Sequence, residues 1–301
     1  MEFLISTAEQ SLIFGLMALG VFLTYKILDF PDLTVEGTFP LGASIFSSLA
    51  LAGLDQNIAL LLAFLGGFLG GLSTGFLHTK MKISGLLSGI LTMTALYSIN
   101  LKIMTKPNLS LFQIENLWMN GSQKFLLLIL TVIIVKLMID WFLKTELGML
   151  LRTCGDNEVL LTSMGIESSN IKLLGLGLSN GLVALAGAIM AGYQGFSDIS
   201  MGGGILVGGL ASIILGMSLF KSPLKATTAS ILGAFIYRGA LAFIMTLGIS
   251  PGDLKLATVL ILIFTFLCKN LSSNNLVTNI QNFFKERGFS NDKNKKSIEE
   301  L

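Results

Sequence analysis

Residues 173–192 read LLGLGLSNGLVALAGAIMAG, twenty positions without one ionisable side chain. At about 1.5 Å per residue this run spans roughly 30 Å as a helix, the thickness of a bilayer's hydrocarbon core. Its glycines, alanines and serine add a second message. Small residues let helix backbones approach closely in lipid, where hydrophobicity gives no drive for association. Residues 57–77 carry the same composition, and further apolar stretches occur at 11–28, 34–54, 83–100, 124–143, 204–220, 226–247 and 255–268. The whole 301-residue chain agrees: 52% is hydrophobic, 13% is charged, and the mean hydropathy is +0.78. Charge at about half the usual 25% cannot solvate an ordinary soluble surface. The prediction is an all-α polytopic membrane protein of about eight to ten transmembrane helices, some broken or re-entrant. Residues 1–270 form one membrane domain, and the polar 271–301 form a solvated cytoplasmic tail.

Orientation follows from lysine and arginine. Basic groups gather around His78, Lys80 and Lys82, at Lys144, Arg152 and Lys172, at Lys221 and Lys225, and from Lys269 onward. Strict alternation places all four clusters on the cytoplasmic side and the N-terminus outside, in the cell membrane. The connections at 193–203 and 248–254 carry Asp198 and Asp253 but no lysine or arginine, which suits the outer face. Lys102, Lys106 and Lys124 strain this arrangement, as does the net acidic stretch after the first segment. Residues 1–10 hold Glu2 and Glu9 and no basic residue, the wrong sign for a cleavable signal. Cys154 and Cys268 both fall near the reducing face and are expected as free thiols. The net charge of +2 gives no reason to expect a nucleic acid partner.

Three places carry chemistry. The first is 144–172, the longest polar interruption on the inner side. There Asp156 is placed to cap a short helix ending near Met164, with Gly165 where a left-handed residue is wanted. A helix of about eight residues is not stable alone in water. Val159, Leu160 and Leu161 must dock, on the bundle, on lipid headgroups, or as a coupling helix in the groove of a cytoplasmic ATPase. The second place is 29–37, where Asp29, Asp32 and Glu36 cluster between Pro31 and Pro40. This is either an inner-face turn or a broken helix lining a translocation path. The third is Arg238, roughly 20 Å into a ~30 Å core when counted from Lys225. It would pair with a carboxylate of 29–36 or with Asp198, or meet the carboxylate of a substrate.

The order of several motifs carries a family resemblance. ELGMLLRTCGDN (146–157), then Met164-Gly165-Ile166, then Gly187 after the apolar run, resembles the permease subunits of branched-chain amino-acid and ribose ABC importers. The likeness extends to Ala18-Leu19-Gly20 and DFPDLTVEG (29–37) and covers most of 10–270. It is nearest the branch associated with aromatic amino acids or other small solutes, through Tyr193-Gln194-Gly195-Phe196, Tyr237-Arg238-Gly239 and Asp253-Leu254-Lys255. The resemblance implies a type II-like importer permease that forms the path for a small solute. It places Arg152, Gly155, Asn157, Met164 and Gly165, with Asp156 and Glu158 among them, in the loop that meets the ATPase. The broken-helix reading of 29–37 and the buried arginine, rather than the resemblance, put Asp32, Thr34, Glu36 and Arg238 on the substrate path. Two ATPase subunits, a substrate-binding protein outside, and a second permease copy are the implied partners. No cofactor is expected on this chain, ATP-Mg being held by the partner.

No stretch matches the phosphate-cradling G-x-x-x-x-G-K-[ST] pattern, so any ATP hydrolysis belongs to another polypeptide. An intramembrane enzyme lacks support, because His78 is the single histidine and no aspartates pair within a span. An ion-coupled secondary transporter or a channel would share the broken helices and the buried arginine. It would have no use for 144–172 as a docking element.

Overall fold

The computed structural model describes residues 2–113, 124–220, 225–248, 253 and 256–263. α1 (Glu2–Phe22) runs into a π-helical turn (Leu23–Ile27), followed by α2 (Val35–Leu51), α3 (Gln56–Thr79), α4 (Gly85–Met104) and α5 (Lys124–Phe142). Two short helices, α6 (Glu146–Asp156) and α7 (Glu158–Ser163), precede α8 (Ser168–Gln194), α9 (Ile205–Leu219) and α10 (Ala226–Thr246). Met1–Thr258 form one compact unit; of the second, from Val259 onward, residues 259–263 are described and are helical. The proposed tail at 271–301, Lys221 and Cys268 lie outside the described residues.

Among the described residues, six helical stretches are long and apolar enough to cross a membrane: Phe3–Ile27, Gln56–Thr79, Gly85–Met104, Lys124–Phe142, Ser168–Gln194 and Ala226–Thr246. α1 starts well before the expected residue 11, which brings Glu9 into the helix and into the protein interior. Local chemistry sets the ends. Asp55 caps α3 by accepting from the amides of Asn57 (2.8 Å) and Ile58 (3.4 Å), and Gly195 closes α8 in the left-handed region at φ +79°.

α8 is the central post, with α1, α2 and α3 packed around it. The small residues of 173–192 permit backbone-to-backbone contact. A Cβ on Gly42 of α2 would stand 1.8 Å from the carbonyl oxygen of Ala184, and one on Gly71 of α3 would stand 2.1 Å from that of Leu176. No larger residue fits either place.

α2 and α9 have 17 and 15 residues, about 25 and 22 Å, too short to cross a ~30 Å core. Their starts lie inside the bundle. After the π-turn the chain doubles back, so that Asp32 meets Asn180 midway along α8 before α2 begins. The amide of Gly204, at the head of α9, donates to Glu36 Oε1 at 3.1 Å. Pro40 has no N–H for the Glu36 carbonyl four residues back. Gly202 packs against that carbonyl so closely that a Cβ would stand 1.9 Å away. The expected broken helices are thus α2 and α9, meeting head to head at Glu36.

The connections alternate between two ends. At one, β1 (Asn108–Ser110) and β2 (Phe196–Asp198) pair antiparallel, Leu109 opposite Ser197, tying the chain after α4 to the chain after α8. At the other, residues 28–31, His78, Cys154, Glu158 and Lys172 surround a cavity of about 320 Å³.

Candidate functional site

The 144–172 stretch is built as an arm of two helices. Thr145 caps α6: its Oγ1 accepts from the Gly148 amide at 3.4 Å and donates to the Phe142 carbonyl at 2.6 Å. The second helix differs from the single helix expected. α7 has six residues and is capped by Asn157, whose Oδ1 accepts from the Leu160 amide at 3.2 Å. Asp156 is still helical as the last residue of α6, whereas Asn157 has the extended backbone (φ −158°, ψ 93°) that an N-cap requires. Gly165 is left-handed at φ +77°. With it the Gly165 amide reaches the Thr162 carbonyl (3.0 Å) and the Ile166 amide the Leu161 carbonyl (3.1 Å), the paired bonds of a Schellman ending.

One face of the arm is anchored. Leu151, Cys154 and Leu161 are buried, and the backbone at Gly155 lies on the π-turn, where a Cβ would stand 2.0 Å from the Ile27 carbonyl oxygen. Gly155 therefore faces the bundle and fits the arm to the end of α1. Glu158 bridges back to α8, accepting from Lys172 Nζ and Ser168 Oγ, each at 2.7 Å. Those two donors, Lys172 first, hold its carboxyl below the usual range. Cys154 is a free thiol, and burial pushes its pKa up. The other face is open and apolar: Val159 is 74% exposed and Met164 65%, with Leu160 and Met149 beside them. Arg152 and Asn157 are also exposed, and Arg152 has no ion pair among the described residues.

The buried site lies where α2 begins. Asp32, 2% exposed, accepts from the Thr34 amide (2.9 Å) through Oδ1 and from Asn180 Nδ2 (2.7 Å) through Oδ2. Asn180 Oδ1 accepts from the Thr38 hydroxyl (2.8 Å), and the hydroxyls of Thr34 and Thr74 share a bond of 2.6 Å. Burying a carboxylate is unfavourable unless donors surround it; Thr34 at the head of α2 and Asn180 of α8 supply them, and Thr74 of α3 holds the Thr34 hydroxyl. Asp32 and Thr34 are thereby closed in protein, while Glu36 is half-buried at the junction with α9. Sequence reasoning passed over Asn180. Its signal was a lone amide inside the apolar, glycine-rich run at 173–192, where a polar side chain joins helices.

Arg238 is paired otherwise than expected. Its Nη2 donates to Gln10 Oε1, and the guanidinium lies 4.2 Å from the centre of the Phe14 ring. α10 packs along α1, so α1 supplies the neighbours, and the ring face offsets part of the lost hydration. Of the expected partners, Asp32, Glu36 and Asp198 are engaged elsewhere. Asp198 accepts from the amide and hydroxyl of Ser200 and from Asn108. Near Arg238, Glu9 is 1% exposed and accepts from Lys124 Nζ (3.2 Å) and Tyr193 OH (3.1 Å). The described residues contain no group of three or more His, Cys, Asp or Glu side chains able to hold a metal.

Comparison with known proteins shows the family. Residues 3–267 match the family described as branched-chain amino acid transport system / permease component. A tyrosine transport system permease protein of Clostridioides difficile strain R20291 is 48% identical over 274 residues, covering 90% of this chain and 93% of its own length. The ribose import permease protein RbsC of Bacillus subtilis strain 168 is 25% identical, covering 77% and 74%. Among solved structures, PsaBC from Streptococcus pneumoniae in complex with Fab aligns at a TM-score of 0.52 with 13% identity over 88% of this chain and 89% of the other, a likeness of fold. These matches remove the secondary-transporter and enzyme readings, and the chain belongs to the branched-chain amino acid permease family, as a multi-pass membrane subunit of an ABC importer.

Proposed function

We propose that this permease imports an aromatic amino acid and is driven by ATPase subunits that dock on the open face of α6 and α7. The observation that carries the docking surface is the apolar patch of Val159, Leu160 and Met164, presented outward by an arm whose opposite face is locked to the bundle. Arg152, Asp156 and Asn157 rim the patch with polar groups, as a protein interface requires. Glu158 and Gly165 hold its shape. The 48% identity to a tyrosine permease over nearly the full length supports the substrate class.

In this reading the arm end is cytoplasmic, the β1–β2 end faces outward to a substrate-binding protein, and a second permease copy completes the path. ATP-Mg stays on the ATPase subunits. Closure of the ATPase pair moves the arm, and the tight contact of Gly155 on Ile27 passes that motion through the π-turn to the Asp32–Asn180 network at the head of α2. Asp32 and Thr34 position α2, Glu36 joins it to α9 at the path, and Arg238 attracts the substrate carboxylate near the outer end. The transporter biases a two-state equilibrium and makes no covalent change to the solute.

The test is reconstitution of the permease with its ATPase and binding protein in liposomes, reading uptake of radiolabelled tyrosine. Val159→Asp with Met164→Asp is expected to abolish ATPase co-purification and uptake while leaving the thermal unfolding midpoint of the permease unchanged. Full ATPase binding by that variant overturns the docking surface. ATP-driven uptake of ribose but of no amino acid overturns the substrate class.

A further inference from the structure

A polar cluster at the arm-side ends of α5 and α10 belongs neither to the arm nor to the Asp32 network. Asp140, itself buried, accepts through Oδ2 from Lys136 Nζ (2.9 Å) and Lys225 Nζ (3.2 Å), and through Oδ1 from the Thr227 hydroxyl (2.7 Å). Two ammonium groups against one carboxylate leave the cluster with one net positive charge. Each ammonium has three N–H donors, and among the described residues neither lysine has an acceptor other than Asp140. An acceptor carrying negative charge complements that surplus.

Its surroundings define the acceptor. Lys225 is 57% exposed. Trp141, next to Asp140, is 71% exposed, an amphipathic ring of the kind found at headgroup depth. Toward the middle of α5, Leu130, Ile134 and Leu137 are exposed and apolar. α5 packs along α1 but only lightly on α10. Charge therefore sits at the mouth of an apolar surface, the arrangement that suits an amphiphile with an anionic head.

We propose that Lys136 and Lys225 bind the phosphate of an anionic phospholipid whose acyl chain lies along the exposed side of α5. The lipid satisfies the surplus ammonium donors and braces the end of α5 from which the arm departs. Assigning that lipid to the cytoplasmic leaflet rests on the orientation proposed above; the phosphate site itself does not.

Native mass spectrometry of the full chain in neutral detergent, with phosphatidylglycerol and phosphatidylcholine at equal mole fraction, tests this. One net charge near a membrane surface corresponds to about a fivefold preference for the anionic lipid. Lys225→Gln leaves Asp140 paired with Lys136 and Thr227, so it keeps the fold and brings the preference to parity. Lys225→Arg retains it. Should Lys225→Gln lose its folded state, the uncharged combination Lys136→Gln, Asp140→Asn, Lys225→Gln replaces it, with the same expected parity. Equal retention of the two lipids by wild type overturns the proposal, as does an undiminished preference in the Gln variants. Displacement of the lipid by excess inorganic phosphate reassigns the site to a soluble anion. Displacement by a second permease copy reassigns the surface to the dimer. The readout needs neither transport nor ATPase, so its failure and a failure of the import reading are separable.

Discussion

α8 and α5 have opposite ways of staying in the same bundle. α8 carries its glycines, alanines, serines and Asn180 along a helix that is mostly buried, and its neighbours touch it backbone to backbone. α5 has no glycine, is rich in Leu and Ile, and keeps most of its surface outside the bundle. Polar stations near its two ends hold it: Lys124 on Glu9, and Asp140 with Lys225 and Thr227. In lipid, leucine on leucine gains nothing over leucine on an acyl chain. A helix is therefore retained either by close backbone approach or by polar groups that have no better partner. The first way makes a closely packed post, and the second holds a helix chiefly near its ends. The arm lies between one of each kind, α5 before it and α8 after it.

The most damaging way to break this contrast is at the post. Gly42→Leu drives a side chain into the Ala184 carbonyl, and the expected loss exceeds about 3 kcal/mol because backbone cannot yield as a side chain can. Size-exclusion chromatography in detergent should show no monodisperse protein. The same substitution type on α5, Thr131→Leu, should leave the profile unchanged.

Asn180→Ala comes next. Interhelical hydrogen bonds in membrane proteins average only about 0.6 kcal/mol, but here a buried carboxylate loses a donor. About 2 kcal/mol is expected, read as a lowered unfolding midpoint, with Asp32→Asn partly restoring it in the double variant. Additive losses in the two variants would separate Asp32 from Asn180.

At the α5 stations the effect shrinks. Glu9→Gln keeps a hydrogen-bond acceptor for Tyr193 and removes the charge that faces Lys124, with about 1 kcal/mol expected. A loss as large as that of Asn180→Ala would mean that α5 is a second post.

The smallest effect is on the arm. Glu158 has its carboxyl held low by Lys172 and Ser168. A depressed folded-state pKa contributes stability above the ordinary glutamate value of about 4.3, and that stability fades as pH falls through the folded value. The group is half exposed, so the contribution stays well under about 1 kcal/mol. Hydrogen exchange of α7 amides, corrected for intrinsic rates, should rise below about pH 4 in the wild type. In Glu158→Gln it should be raised already at neutral pH and show no acid step.

How much was legible differs by region. The spans could be read because twenty apolar residues in a row have one stable form in a bilayer. The arm could be read because a polar interval of that length between spans must lie outside the membrane. Its inner division could not. Asp156 and Asn157 are equally good caps by composition, and only the backbone turn at Asn157 selected between them. Arg238 announced itself as a buried cation, yet its partner depended on which helix lay beside α10. That neighbour was α1, with Gln10 and Phe14.

By itself, then, the sequence determined what local composition controls: a membrane bundle, close packing around 173–192, a polar interval at 144–172, and the family order of motifs. Tertiary structure alone decided which polar groups meet. Asp32 on Asn180, Glu36 at the head of α9, and two lysines on Asp140 all join residues far apart in the chain. Partner choice across such distances is set by helix depth and rotation. Those follow from the packing of every helix at once, and no single stretch of sequence encodes them.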